Sequence, residues 1–243
     1  MLCSSFKKII ERLLSLFSNL LRKAFKSLLF HFSKTWYILN MKPNRLEQLS
    51  DGIFAIVMTI LVFDLKVPEM VVGATNNDVS QALVAMAPLF FSYILSFSML
   101  FTYWRAHHFF VSVYAKNIDV TLTNINAIFF LFVGLVPFST SLMGRDNNLE
   151  LPIIIFSINV IMIGLCLYFM RNYVFKSPHI KNIEVAHSEI MRGTIRTLVP
   201  VFFAIIAIPL CFFSKNLALT LLTLAILFNF SHTSTRIFGK FID

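Results

Sequence analysis

Residues 45–68 read RLEQLSDGIFAIVMTILVFDLKVP. Arg45, Ser50 and Asp51 stand at the front, twelve uncharged residues follow, and Asp64 and Lys66 close the run. A helix that crosses a hydrocarbon core of about 30 Å needs about twenty residues. Such a helix must here carry Ser50 and Asp51 near one end of its apolar zone. A carboxylate in that position is costly unless donors satisfy it, which makes it a candidate functional residue. At about 100° per residue, Ile56, Ile60 and Phe63 fall within about 60° of one another. Thr59 lies on the flank of that stripe, and Asp51 points away from it. The spacing gives one helix two faces, one bulky and apolar along its length, the other polar at its base.

Composition sets the class. Of 243 residues, 57% are hydrophobic and only 14% are charged, whereas a soluble domain carries about a quarter charged residues. The chain reads as a polytopic membrane protein. Its formal net charge is +9. The basic residues sit mainly beside apolar runs, so they point to membrane topology and anionic lipid headgroups, not to nucleic acid. Cys3, Cys166 and Cys211 have no metal-site spacing, and neither have His179 and His187. No Ser-His-Asp arrangement, Gly-rich phosphate loop or paired-carboxylate motif is present. No enzyme, no cofactor and no resident metal is expected.

Apolar runs at about 47–66, 84–106, 119–142, 151–172, 196–213 and 216–233 predict six transmembrane helices in an all-α chain. Strand-like alternation is missing, which excludes a β-barrel. Arg and Lys concentrate after the second, fourth and sixth runs, which places both termini in the cytoplasm. Residues 1–40 differ. Lys7, Lys8, Arg12, Arg22, Lys23 and Lys26 interleave with apolar residues at helical spacing, the pattern of a basic helix lying in a membrane interface. Met41 directly precedes KPNRLEQ. Residues 1–40 are therefore read as an extension, either an integral arm or dispensable, and 41–243 as the six-span domain.

Arg45, Ser50 and Asp51 fall at the cytoplasmic end of the first run, Trp104 and His107 at that end of the second, and Asn126 near the start of the third. All share one depth and can meet. The Trp104 indole and the His107 ring can donate, and Asn126 can do both. Such donors would satisfy a buried Asp51 and clamp the helices together. A proton relay through Asp51 and His107 is the other reading. Asp64, at the opposite mouth, is either a cation-concentrating charge or a solvated helix end.

The run Arg45-x-x-x-Leu49-Ser50-Asp51 is similar to the Arg-x-x-x-Phe-Ser-Asp signature of the transmembrane protein 175 family of lysosomal and prokaryotic potassium channels. It departs at Leu49, where the signature has Phe. Gly52 through Pro68, Tyr103-Trp104-x-x-His107-His108, and Asn126 ahead of Pro137-Phe138 extend the likeness over roughly residues 45–235. The resemblance implies a homotetrameric cation channel with modest selectivity for potassium, the first helix of each six-span subunit lining the pore. Ile56, Ile60 and Phe63 would form an apolar constriction, with a Thr59 hydroxyl beside it. Such a constriction gates by dewetting and needs no TVGYG-type filter. Phe63 stands where Leu is more usual, which bears on the width of that layer. Animal members resemble two fused six-span repeats, of which this chain would be one. A bacterial cell membrane is the implied location. The alternatives are a proton leak of the same fold and a non-conducting membrane scaffold.

Overall fold

The computed structural model describes residues 43–69, 72–145, 149–180 and 187–230. The amphipathic extension expected over 1–40 lies outside them. Helix α1 spans Pro43–Ile60 and tightens into a 3-10 turn over Leu61–Asp64. A short α2, Asn76–Ala85, precedes α3, Ala87–Phe109, which runs into a π turn over Phe110–Tyr114. Then come α4 (Val120–Gly134), α5 (Val136–Arg145), α6 (Glu150–Lys176), α7 (His187–Leu210) and α8 (Lys215–Phe230).

Among the described residues, four stretches are long and apolar enough to cross a membrane: Asn44–Asp64, Ala87–Tyr114, Val120–Arg145 and Glu150–Lys176. The fifth and sixth expected spans correspond to shorter apolar helices, Arg196–Leu210 and Lys215–Asn229. The polar connection after the first span also departs from a plain loop. Its α2 is started by a reciprocal cap, in which the Thr75 hydroxyl accepts from the Asp78 N–H and the Asp78 carboxylate accepts from the Thr75 N–H at 2.7 Å. Those Thr75 bonds hold the Asp78 carboxyl below its ordinary range.

The third expected span is broken in two at Leu135. Pro137 follows at once, and it has no N–H to continue the ladder. Within the first turn of α5 that loss is harmless, because those donors have no intrahelical partner in any case. The break would still strand backbone groups in an apolar medium. Asn159 of α6 answers this. With its amide oriented to satisfy both ends, it donates to the Phe132 carbonyl at 3.0 Å and accepts from the Val136 N–H at 3.3 Å.

Helix α6 is the most buried of the long helices and packs on α4, α5 and α7. Glycine permits the closest approach to α7, for a Cβ on Gly164 would collide with the Val201 side chain. Helix α3 packs on α5 and α8, and α1 leans on α3 and α4. Across the α3–α5 contact the Thr140 hydroxyl donates to Ser96 Oγ at 2.7 Å.

Candidate functional site

One face of α1 is sealed. Leu46, Ser50, Phe54, Val57 and Leu61 are buried, a succession of three- and four-residue steps that marks one side of a helix. Phe54 sits among the His107 and Phe129 rings, with centroids 6.5 Å and 5.9 Å away. The opposite face is bare: Ile56 is 59% exposed, Ile60 40% and Phe63 73%. Phe63 lies in the 3-10 turn, not in the α-helix. Residues three apart eclipse in a 3-10 helix, so the tightening draws Phe63 into line above Ile60. Thr59 is exposed beside them, and its hydroxyl donates to the carbonyls of Ala55 at 3.0 Å and Ile56 at 2.8 Å.

At the base, the expected network resolves into two separate pairs. The Trp104 indole N–H donates to Asp51 Oδ1 at 2.8 Å. His107 Nε2 meets Asn126 Oδ1 at 2.7 Å, both residues fully buried. Asp51 is exposed in the single chain, not buried as expected. The helical geometry turns it toward the flank of α3, while Phe54 fills the interior below it. Ser50 is buried but spends its hydroxyl on the Leu46 carbonyl of its own helix at 2.7 Å. Arg45 is exposed and makes no hydrogen bond or ion pair among the described residues.

Three further residues belong to this clamp. Glu47 Oε1 accepts from the Ser112 hydroxyl at 2.7 Å. It also lies 2.8 Å from His108 Nδ1 as an ion pair, though not aligned as a hydrogen bond. His108 in turn stacks on Trp104 at 5.6 Å between centroids. Glu47 and Asp51 are four apart on α1, and Trp104 and His108 are four apart on α3. That double spacing is the signal in the sequence that marks two facing helical edges. Ser112 continues that spacing by four more residues, into the π turn.

At the opposite end, Asp64 accepts from the Ser141 hydroxyl at 2.9 Å and lies 3.5 Å from the Arg145 guanidinium. Its charge is matched locally by α5. A groove of about 510 Å³ opens beside it, with Lys66 and Glu69 adding one charge of each sign to its wall.

A helical bundle of membrane-length apolar segments, tied at one end by side-chain pairs between its first two long helices, defines a polytopic α-helical integral membrane protein. The family profile described as endosomal/lysosomal potassium channel TMEM175 matches residues 45–137, which hold α1, the clamp and the start of α5. Over these residues the chain is similar to the TMEM175 family.

Relatives agree. A potassium channel from Chryseobacterium sp. (strain P1-3) is 29% identical over 182 residues, covering 74% of this chain and 88% of that protein. A potassium channel from Chamaesiphon minutus is 34% identical over 104 residues, 43% of this chain and 50% of its own length. The endosomal/lysosomal proton channel TMEM175 of Mus musculus is 26% identical, and the match covers 79% of this chain but only 39% of that protein. The crystal structure of a lysosomal potassium-selective channel TMEM175 homolog from Chamaesiphon minutus superposes with a TM-score of 0.66 at 22% identity. That superposition covers 79% of this chain and 97% of the other, and it establishes the shared fold.

Proposed function

We propose that the chain is the subunit of a homotetrameric, potassium-selective cation channel whose constriction is built from α1. The observation that carries this reading is the bare apolar stripe of Ile56, Ile60 and Phe63 on a helix whose other face is sealed into the bundle. The names of the Chryseobacterium and Chamaesiphon relatives supply the ion. A stripe on the surface of one copy encloses nothing. Four copies around an axis turn the stripes inward, and each layer becomes a ring of hydrocarbon.

A narrow ring strips a cation of part of its hydration shell and gates by dewetting. Potassium releases that water more readily than sodium does, so the ring favours potassium, modestly. The Thr59 hydroxyl donates to its own backbone, which leaves oxygen lone pairs to face a partly dehydrated ion. The clamp of Asp51, Trp104, His107 and Asn126, with Glu47 and His108, holds α1 at a fixed rotation so that the stripe faces the axis. The distribution of Arg and Lys puts the clamped end and both termini in the cytoplasm, in a bacterial cell membrane. Residues 1–40 are peripheral to conduction. The partners are other copies of the chain, potassium and membrane lipid.

The test is current from the purified chain in planar bilayers under separate potassium, sodium and pH gradients. A reversal potential that follows potassium, with a smaller sodium response, supports the channel as described. One that follows pH identifies a proton leak, the activity named for the mouse relative. Silence from assembled protein would leave only a scaffold.

A further inference from the structure

Helix α6 carries a buried cation with no counterion among the described residues. Arg171 is 3% exposed, and its Nε and Nη1 have no hydrogen-bond partner among the described residues. Two guanidinium nitrogens left in that condition are costly, because they have given up water without a hydrogen bond in return. The backbone makes room for it. A Cβ on Gly193 of α7 would stand 3.1 Å from Arg171 Nη1 and 3.3 Å from the Tyr114 hydroxyl, so glycine is what lets the two helices close around this side chain.

Arg171 is not alone. It lies close enough to Arg196 of α7 for the two charges to repel, and Arg196 stands in the same relation to Arg105 of α3. Arg105 and Arg196 are both half-buried. Each donates to the same neutral acceptor, the Asn229 backbone carbonyl near the end of α8, at 3.3 Å and 3.5 Å. The Asn229 amide donates to the Arg196 carbonyl at 2.8 Å, which fixes the end of α8 against them. The ion pairs among the described residues use His108, Arg145, His179 and Lys215, so none of these three arginines is paired to a carboxylate there. Three guanidinium groups on three helices thus form a row from the interior to the surface, at the clamped end of the bundle.

We propose that this row is a binding site for a phosphate group, presented either by an anionic phospholipid or by free phosphate. Guanidinium forks match the oxygens of a tetrahedral phosphate in a way a single ammonium does not. The outer pair, Arg105 and Arg196, receives the anion, and its charge offsets that of Arg171 behind them. The row sits where helices end, beside the layer in which lipid phosphates lie, and basic pockets between helices at that depth suit anionic headgroups. Because α3, α7 and α8 all converge on it, an anion there ties α7 and α8 to the helix that clamps α1.

The experiment uses the full chain in neutral detergent, with R171M, the double variant R105M/R196M, and K116M as a control for general electrostatics at the same end. The probes are dioctanoyl phosphatidylglycerol, dioctanoyl phosphatidylcholine and inorganic phosphate, read by binding and by thermal unfolding. Phosphatidylglycerol is expected to bind and to raise the unfolding temperature of the parent and of K116M, where phosphatidylcholine does not. Each arginine removed should weaken that binding about tenfold, the size of a lost charge-assisted hydrogen bond. R171M, freed of a buried charge, should unfold no earlier than the parent without lipid, and about ten times more phosphatidylglycerol should be needed to stabilise it. If inorganic phosphate reproduces the effect, the site takes free phosphate; if only the lipid acts, it takes a headgroup. Failure of both probes on the parent overturns the site, as does parent-like affinity in R171M and R105M/R196M together.

Discussion

The indole N–H of Trp104 donates to Asp51 Oδ1 at 2.8 Å, and this bond joins the base of α1 to α3 while the carboxylate stays open to solvent in the single chain. Nineteen residues separate the buried partners His107 and Asn126, whereas this pair spans 53. It therefore fixes a long-range relation between helices, the rotation of α1 against its neighbours. Substituting Trp104→Phe keeps an aromatic ring against His108 and removes only the donor. The expected loss is about 1 kcal/mol, the usual net value of one such bond. Chemical unfolding in detergent measures it, and an unchanged midpoint would detach this bond from the clamp.

The buried pair should be more sensitive. His107 and Asn126 are sealed from solvent, and His107 Nδ1 and Asn126 Nδ2 already lack partners among the described residues. Asn126→Leu strips the remaining bond from the His107 ring and is expected to cost about 1–3 kcal/mol. Replacing both, as His107→Phe with Asn126→Leu, leaves no polar atom stranded and should cost less than the two single changes added. A double-mutant cycle reads this coupling directly. Strict additivity would mean that the two side chains do not act as a pair.

Asn159 has a different task. Its amide spans the break between α4 and α5, meeting Phe132 O and Val136 N. Asn159→Leu preserves bulk but takes the acceptor from the Val136 N–H and one donor from the Phe132 carbonyl, which keeps the Leu135 N–H, at about 1–3 kcal/mol. Hydrogen exchange should quicken first at Val136 and its neighbours, ahead of α6 itself. Uniform exchange across the bundle would argue that the amide supports packing in general and not the break.

The constriction is tested by current. Ile56→Asn places a polar amide on the bare stripe and should ease wetting, raise single-channel conductance and weaken discrimination against sodium. Leu224→Asn, on an exposed face of α8, should change neither. Equal conductance and reversal potential for Ile56→Asn and the parent, with assembly intact, would remove Ile56 from the ion path.

What could be read without a structure is local in its physics. Membrane-length apolar runs, the two faces of α1 and the all-α class follow from composition and from a period of about 3.6 residues. Those depend only on residues a few positions apart. Glu47 with Asp51 and Trp104 with His108 were equally legible, since helical spacing alone puts each pair on one edge. Partnership between helices is another matter, because it depends on rotation and axial register, which no single helix encodes. Only the packed bundle gives Ser50 to its own backbone, Asp64 to Arg145 and Ser141, and Asn159 to the break at Leu135. It alone leaves Arg171 Nε and Nη1 inside without a hydrogen bond among the described residues, since whether a buried charge is paired depends on what other helices bring to its side. The 3-10 turn that aligns Phe63 with Ile60 arises the same way, where the end of α1 packs against α3 and α5.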